Sequence, residues 1–290
     1  MNRIYPMRLR NLLTATLAAT LLTSMAACGG SSSGDGSADP SQPLKVMADV
    51  IPHAELIREA ETLGLLGDVK VDVTEISGDV DVNQLTEAGD MDANFFQHVP
   101  YLNDWNANHP GSDLVPVATV HVEPLGLYSK KVTSLTDVPE NAVIAIPADA
   151  TNQARGLFLL EDAGLIKLNV DRNDPNLDYS QITDANVTEN PKNISFVKID
   201  RPQLAASLDD PAVTLSIVNG NYALEAGLVP ANDALILESA EGNPYANVLV
   251  TKETMKDDPR VQKLAEALES PELAKFIVDN YQGSVLPVNG

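Results

Sequence analysis

Arg155 lies in the stretch Asp149-Ala150-Thr151-Asn152-Gln153-Ala154-Arg155, which reads as a strand end running into a helix. A cation in the first turns of a helix opposes the macrodipole. An anion held by Arg155 and the free N–H groups of that turn would resolve the conflict, and a guanidinium grips a carboxylate bidentately. An ion pair with one of the chain's 41 acidic residues would resolve it equally well. Phe96, His98 and Tyr101 crowd together in a chain with only 4% aromatic residues. Such rings can wall a pocket for an apolar or thioether side chain, or simply pack in a core. Asn219 and Asn247 carry donors and acceptors that suit the ammonium and carboxylate of a zwitterion. Asn after a strand is also common turn chemistry.

Catalytic patterns are missing from the sequence. His53, His98, His109 and His121 show no His-x-x-x-His spacing. No Gly-x-Ser-x-Gly elbow between a strand and a helix occurs, since Gly30 to Gly34 matches the pattern only inside the Gly- and Ser-rich stretch; no P-loop occurs, and Cys28 is the sole cysteine. The acidic residues are scattered, and no pair is singled out as a dyad. The reading is a binder of a small solute and not an enzyme, with no cofactor and no metal.

The elements that would position these residues alternate between β-rich runs and helical patterns, which predicts an α/β fold with largely parallel sheets. Strands are expected at Leu44–Asp49, Val69–Val73, Met91–Phe95, Ala142–Ile146, Ile194–Ile199 and Val213–Val218. Helices are expected after Pro52 at an N1 position, over Val82–Ala88, near Pro100–Asn106, from a Thr151 or Asn152 cap to Gly164, and over Pro202–Leu208. Two more begin at Asp258-Pro259 and Ser270-Pro271. Open α/β sheets bind ligands beyond the carboxyl ends of their strands, and that rule selects the residues above. Two Pro-led segments, Glu123 to Lys131 and Asn243 to Lys252, resemble each other and suit the two crossings of a hinge. The expected organisation is lobe one at 43–123 and 244–290, lobe two at 124–243, and a ligand cleft between them.

The N-terminal part reads as an export and anchoring device. Arg3, Arg8 and Arg10 precede an apolar stretch, Leu12 to Met25, too short to span a bilayer. Met25-Ala26-Ala27-Cys28 then resembles a lipobox, so residues 1–27 read as a signal peptide and Cys28 as the lipidated residue. With a single cysteine no intramolecular disulfide can form. Residues 28–42, rich in Gly and Ser, read as a flexible tether. The formal charge of −22 argues against nucleic acid as a partner and for solubility outside the cell. The expected location is the extracytoplasmic face of the cell membrane, as a monomer held by lipid.

Several motifs in fixed order carry a family resemblance: Pro52-His53-Ala54-Glu55, Asp92 to His98, Pro100-Tyr101-Leu102, and Leu127 to Lys131. Pro147 to Arg155, Glu189 to Asn193, Leu208-Asp209-Asp210 and Asn219 to Ala223 continue the series. The chain resembles the methionine-binding lipoproteins (the MetQ or NlpA family) of ABC importers through nearly all of 43–290. The resemblance implies a periplasmic-binding-protein type II fold, two α/β lobes joined by two hinge strands, closing on an L-amino acid, usually methionine. It implies that Arg155 holds the ligand carboxylate, that Asn219 and Asn247 bond the zwitterion, and that Phe96, His98 and Tyr101 enclose the thioether. It also implies a permease with paired ATPases as partner. The family often places a tyrosine over the ligand near Ser77-Gly78-Asp79-Val80, where this chain carries Asp79. An acid there would meet an ammonium group, as of a dipeptide or a polar amino acid. The alternatives are therefore another amino acid or a Met-containing dipeptide and, from a different class, a surface adhesin or scaffold.

Overall fold

In the computed structural model, which describes residues 42–76, 80–172, 174, 176–239 and 242–289, four of the five residues of β1 (Leu44–Ala48) are buried. The chain then makes a wide turn at Val50–Ala54 before α1 (Glu55–Thr62). Pro52 therefore sits outside this helix and not at its N1 position. Ile51 is extended (φ −129°, ψ 132°), the conformation proline favours in the residue before it. β2 (Val71–Glu75) follows, then α2 (Val82–Ala88), which Asp81 caps by accepting from Gln84 N and which Gly89 ends at φ +82°. β3 (Ala93–His98) is buried at every position, α3 spans Val99–Asn108 and β4 spans Leu114–Val122.

A second set of elements begins with β5 (Gly126–Tyr128) and β6 (Val143–Pro147), then α4 (Ala150–Asp162). A small hairpin of β7 (Lys167–Leu168) and β8 (Val187–Glu189) precedes β9 (Ser195–Ile199) and β10 (Leu215–Val218). Next come α5 (Gly220–Glu225), α6 (Pro230–Asp233) and β11 (Ile236–Leu237). The chain returns through β12 (Asn247–Lys252), α7 (Pro259–Leu268), α8 (Pro271–Tyr281) and β13 (Leu286–Pro287). Asp258 and Ser270 cap α7 and α8 with their side chains, each with proline at the helix start.

Two sheets result. The first runs β13-β4-β12-β3-β1-β2 and the second β11-β5-β10-β6-β9. The β1 pairs are parallel, as are β6 with β9 and with β10. β12 is antiparallel to both its neighbours, and so is β5. The sheets are thus mixed, not largely parallel, because each crossing feeds a reversed strand into the sheet it enters. Each sheet has its own apolar core. Val46, Phe95, Val120, Leu264 and Leu273 belong to the first, and Leu127, Ile144, Leu157 and Ile217 to the second.

Two local expectations change. The N-cap of α4 is Asp149, with Thr151 and Asn152 already inside the helix. Residues 202–208 form tight 3₁₀ turns at Arg201–Gln203 and Ala206–Asp209 in place of one helix. The Ser207 hydroxyl bonds Leu204 O at 2.6 Å and Ser216 Oγ at 3.0 Å, which anchors the segment to β10 and competes with a regular helical ladder.

Candidate ligand-binding site

Sheet register assembles the first part of the site. Asn247, first in β12, stands opposite His98 on one side and His121 on the other. His98 caps α3 by accepting from Tyr101 N at 3.1 Å through Nδ1, which leaves its Nε2–H facing Asn152 Oδ1 at 3.2 Å. The same Asn152 oxygen accepts from Asn219 Nδ2 at 2.9 Å. Asn219 Oδ1 is buried and has no donor among the described residues. Burial, with the nearby Arg155 charge, pushes the His98 imidazolium down to about 3, so the ring is neutral. Phe96 and Tyr101 meet edge to face with centroids 5.8 Å apart.

Phe96, His98, Tyr101, Arg155, Asn219 and Asn247 all line one enclosed chamber between the two sheets. Its free volume of about 20 Å³ is room for one or two waters. Through Phe96, Tyr101 and Arg201 it adjoins a larger cavity of about 260 Å³. Cys28, the tether and Asp79 lie outside the described residues.

Arg155 has an internal partner. Its Nε donates to both oxygens of Glu238 at 2.9 Å, and one terminal nitrogen donates to Glu238 Oε2 and to Glu123 O at 2.7 Å. Tyr245 lies 4.6 Å from the guanidinium carbon and also packs edge-on to His98. Glu238 accepts in addition from Leu125 N at 3.2 Å, so it ties the first chain crossing to α4. Of the two ways to balance Arg155, the ion pair with an acid is present.

A second polar block sits at the first crossing. Glu123 Oε1 accepts from His121 Nε2 at 2.8 Å and lies 3.3 Å from His53 Nε2, while Oε2 accepts from Asn221 N at 2.7 Å. His53 Nε2 is also 3.2 Å from Asn247 Oδ1. Burial would raise the Glu123 carboxyl, but the two histidines and the Asn221 amide outweigh it and hold it below its usual range. Burial lowers His53 to about 4. Among the described residues only His53, His121 and Glu123 come close enough to share a metal ion, and the His121–Glu123 spacing is already that of a hydrogen bond. Their separation in sequence hides this grouping from any spacing rule. Gly220, next to Asn221, has no room for a side chain, since a Cβ would stand 2.8 Å from Glu123 Cβ.

Asp49 and Arg201 are, with Asp200, the charged residues of the larger cavity that escape the sequence reading. Asp49 directly follows β1, is 3% exposed and accepts from Asn221 Nδ2 at 2.8 Å. Burial raises its carboxyl to about 7. Arg201 comes two residues after β9, with its guanidinium 4.9 Å from the Tyr101 ring centroid. Burial opposes its charge, but Asp149, with Tyr101, Tyr222 and Asp49, more than compensates and holds its pKa above the ordinary value. Applied to these two strands as well, the strand-end rule reaches both residues.

A sequence model described as NlpA lipoprotein matches residues 44–289. The chain belongs to the NlpA lipoprotein family. This NlpA-family chain is 34% identical over 265 residues to the methionine-binding lipoprotein MetQ of Bacillus subtilis (strain 168), covering 91% of its own length and 94% of the relative's. A nutrient-binding protein from Burkholderia cenocepacia, solved bound to methionine, is similar at 35% identity and a TM-score of 0.77, over 84% of this chain and 99% of that one. A periplasmic substrate-binding protein of an ABC transporter from Coxiella burnetii matches at 36% identity and a TM-score of 0.76, over 84% of this chain and all of that one. The NlpA-family fold here is therefore that of two-lobed substrate-binding proteins, with the cleft between two α/β lobes. No helix among the described residues is long and apolar enough to cross a membrane.

Proposed function

We propose that this NlpA-family protein is a lipid-anchored solute-binding protein that captures L-methionine between its lobes and delivers it to the permease of an ABC importer. The observation that carries the ligand is the likeness, at 35% identity over most of the chain, to a protein solved with methionine bound. The chamber chemistry supports it. Asn219 Oδ1 is a buried acceptor with no described donor, and neutral His98 adds no charge that would repel an ammonium. Phe96, His98, Tyr101, Arg155, Asn219 and Asn247 are the residues proposed to contact the solute. Lobe one is proposed to comprise 43–123 and 244–290, and lobe two 124–243. In support, the first sheet draws its strands from 44–122 and 247–287 and the second from 126–237. Residues 1–27 are proposed to be removed, Cys28 to carry the lipid and 28–42 to act as the tether.

A thermal-shift panel of amino acids and dipeptides, run on protein refolded to strip bound solute, tests the reading. A ligand selective for the folded state stabilises by about 2.7 kcal/mol at a hundred times Kd, so L-methionine should raise Tm by several degrees. Asn247→Ala should abolish that shift while keeping its own Tm within a few degrees. No shift with millimolar L-methionine sinks the methionine assignment. A larger shift with a different amino acid or a dipeptide reassigns the ligand, and no shift with any compound favours the scaffold alternative.

A further inference from the structure

Asn221, the second residue of α5, is bonded twice to the part of the chain that forms the first sheet. Its backbone N–H donates to Glu123 Oε2 at 2.7 Å, and its side-chain Nδ2 donates to Asp49 Oδ2 at 2.8 Å. Asp49 directly follows β1 and Glu123 directly follows β4, both strands of the first sheet, whereas α5 follows β10 of the second. All three residues are buried, so water competes little for either bond. Glu123 is itself held in place. His121 Nε2 donates to its other oxygen at 2.8 Å, and the α5 backbone at Gly220 presses against its Cβ too closely for any side chain to intervene.

The two bonds stand differently with respect to the hinge. Glu123 opens the first crossing, and β4, which leads into it, pairs with β12, which leaves the second crossing. A rotation of one lobe against the other turns about these crossings and scarcely separates Asn221 N from Glu123. β1 lies three places from β4 in the order β4-β12-β3-β1, about 14 Å across the sheet at about 4.8 Å per strand. The bond to Asp49 is therefore off the axis and must break when the lobes part. The wide turn at Val50–Ala54, next to Asp49, packs against α5 as well, so this contact spreads beyond one pair of atoms. A hydrogen bond to a carboxylate is among the stronger ones, and its loss moves a two-state equilibrium about tenfold.

We propose that Asn221 is an interlobe clasp: with its backbone fixed on Glu123 at the first crossing, its side chain holds Asp49 and biases the two lobes toward closure independently of solute. This rests on the two-lobed solute-binding reading above and adds a regulation of closure, not a contact with solute. Asn221 and Asp49 are then positioning residues. A lobe pair that already spends much of its time closed binds every acceptable solute more tightly by one common factor, since the apparent affinity scales with the closed fraction. Selectivity stays with the residues that touch the solute.

Distances between nitroxide labels on Glu61→Cys in α1 and Glu140→Cys in the other lobe, in protein carrying Cys28→Ser so that no other thiol reacts, measure the closed fraction by double electron–electron resonance. Without solute, the unaltered clasp should show a large share of the separation that saturating L-methionine gives. Asn221→Ala and Asp49→Ala should each cut that share several-fold, and the double variant no further than either alone, because both remove one bond. Asp49→Asn, whose amide oxygen still accepts from Asn221, should retain it. Titration calorimetry with L-methionine, L-norleucine and L-ethionine should then show the same loss for all three in Asn221→Ala, up to about tenfold. Unchanged distances in both single variants overturn the clasp, and so do losses that differ more than threefold among the three amino acids, which would make Asn221 a solute contact. No binding of any amino acid by the unaltered protein overturns the solute-binding reading, and the distances measured without solute still decide the clasp.

Discussion

Asp49 makes the residue scale measurable through pH. Around it are Arg201 from the turn after β9, Glu123 from the first crossing, and Asn221, Tyr222 and Glu225 from α5. Burial sets its carboxyl at about 7, with Glu123 and Glu225 pushing the same way and Arg201 and Asn221 opposing. The folded chain therefore holds this proton more tightly than the unfolded chain does, so the group's contribution to stability is lost as pH rises from about 4 through about 7. Asp49→Asn should accordingly melt higher than the unaltered protein above about pH 7 and lose that advantage toward about pH 4. Scanning calorimetry across that range checks it, and a difference that does not change with pH removes Asp49 as its source. His98 and His53, lowered to about 3 and 4, are common to both proteins and cancel in the comparison. Individual residues were only partly legible in the sequence. Arg155 stands out because a cation early in a helix is unusual, and His98 because it lies among clustered rings in a chain poor in aromatics, whereas Asn after a strand is common and marks Asn219 only weakly. Asp49 and Arg201 carry no such mark, since one acid or one arginine among many charges means little until its burial is known.

At the scale of elements, α4 joins stability to the site. Asp149 caps it, and the capped Asn152 in turn accepts from His98 and Asn219. Asp149→Ala should cost about 1–2 kcal/mol, a fall in Tm of about 2–8 °C by scanning calorimetry. Asp149→Asn, which can still cap, should recover most of that loss; equal losses in the two variants would show that charge near Arg201 matters more than the cap. Helix boundaries were readable where the signals are local. Asp258-Pro259, Ser270-Pro271 and the Val82–Ala88 segment each combine a cap residue or glycine with apolar spacing. The α4 cap was ambiguous because Asp149, Thr151 and Asn152 are all able to cap and lie within four residues. Strand direction was not readable. β12 is antiparallel to β3 and β4 because of the route the chain takes after leaving the second sheet, and no residue in β12 encodes that route.

For the whole molecule, alternating strand and helix patterns were enough to indicate two α/β lobes, since the fold class depends on periodicity more than on any single contact. The net charge of −22 suits a body working outside the cell, and the relatives named lipoproteins suit a membrane location. Cys28→Ala should abolish incorporation of a labelled palmitate and move the protein to the soluble fraction; continued labelling would place the lipid elsewhere. The crossing at Glu123 has a last consequence, for inheritance. Gly220 is open to no side chain while Glu123 occupies its present place, and Glu123 is held there by His53, His121 and Asn221. The two positions therefore vary as one character: the obstacle is Glu123 Cβ, which every residue but glycine shares, so in a descendant of this chain a larger residue at 220 becomes tolerable only after position 123 has become glycine or its backbone has moved. Mutational drift through this hinge has an order of steps built into it.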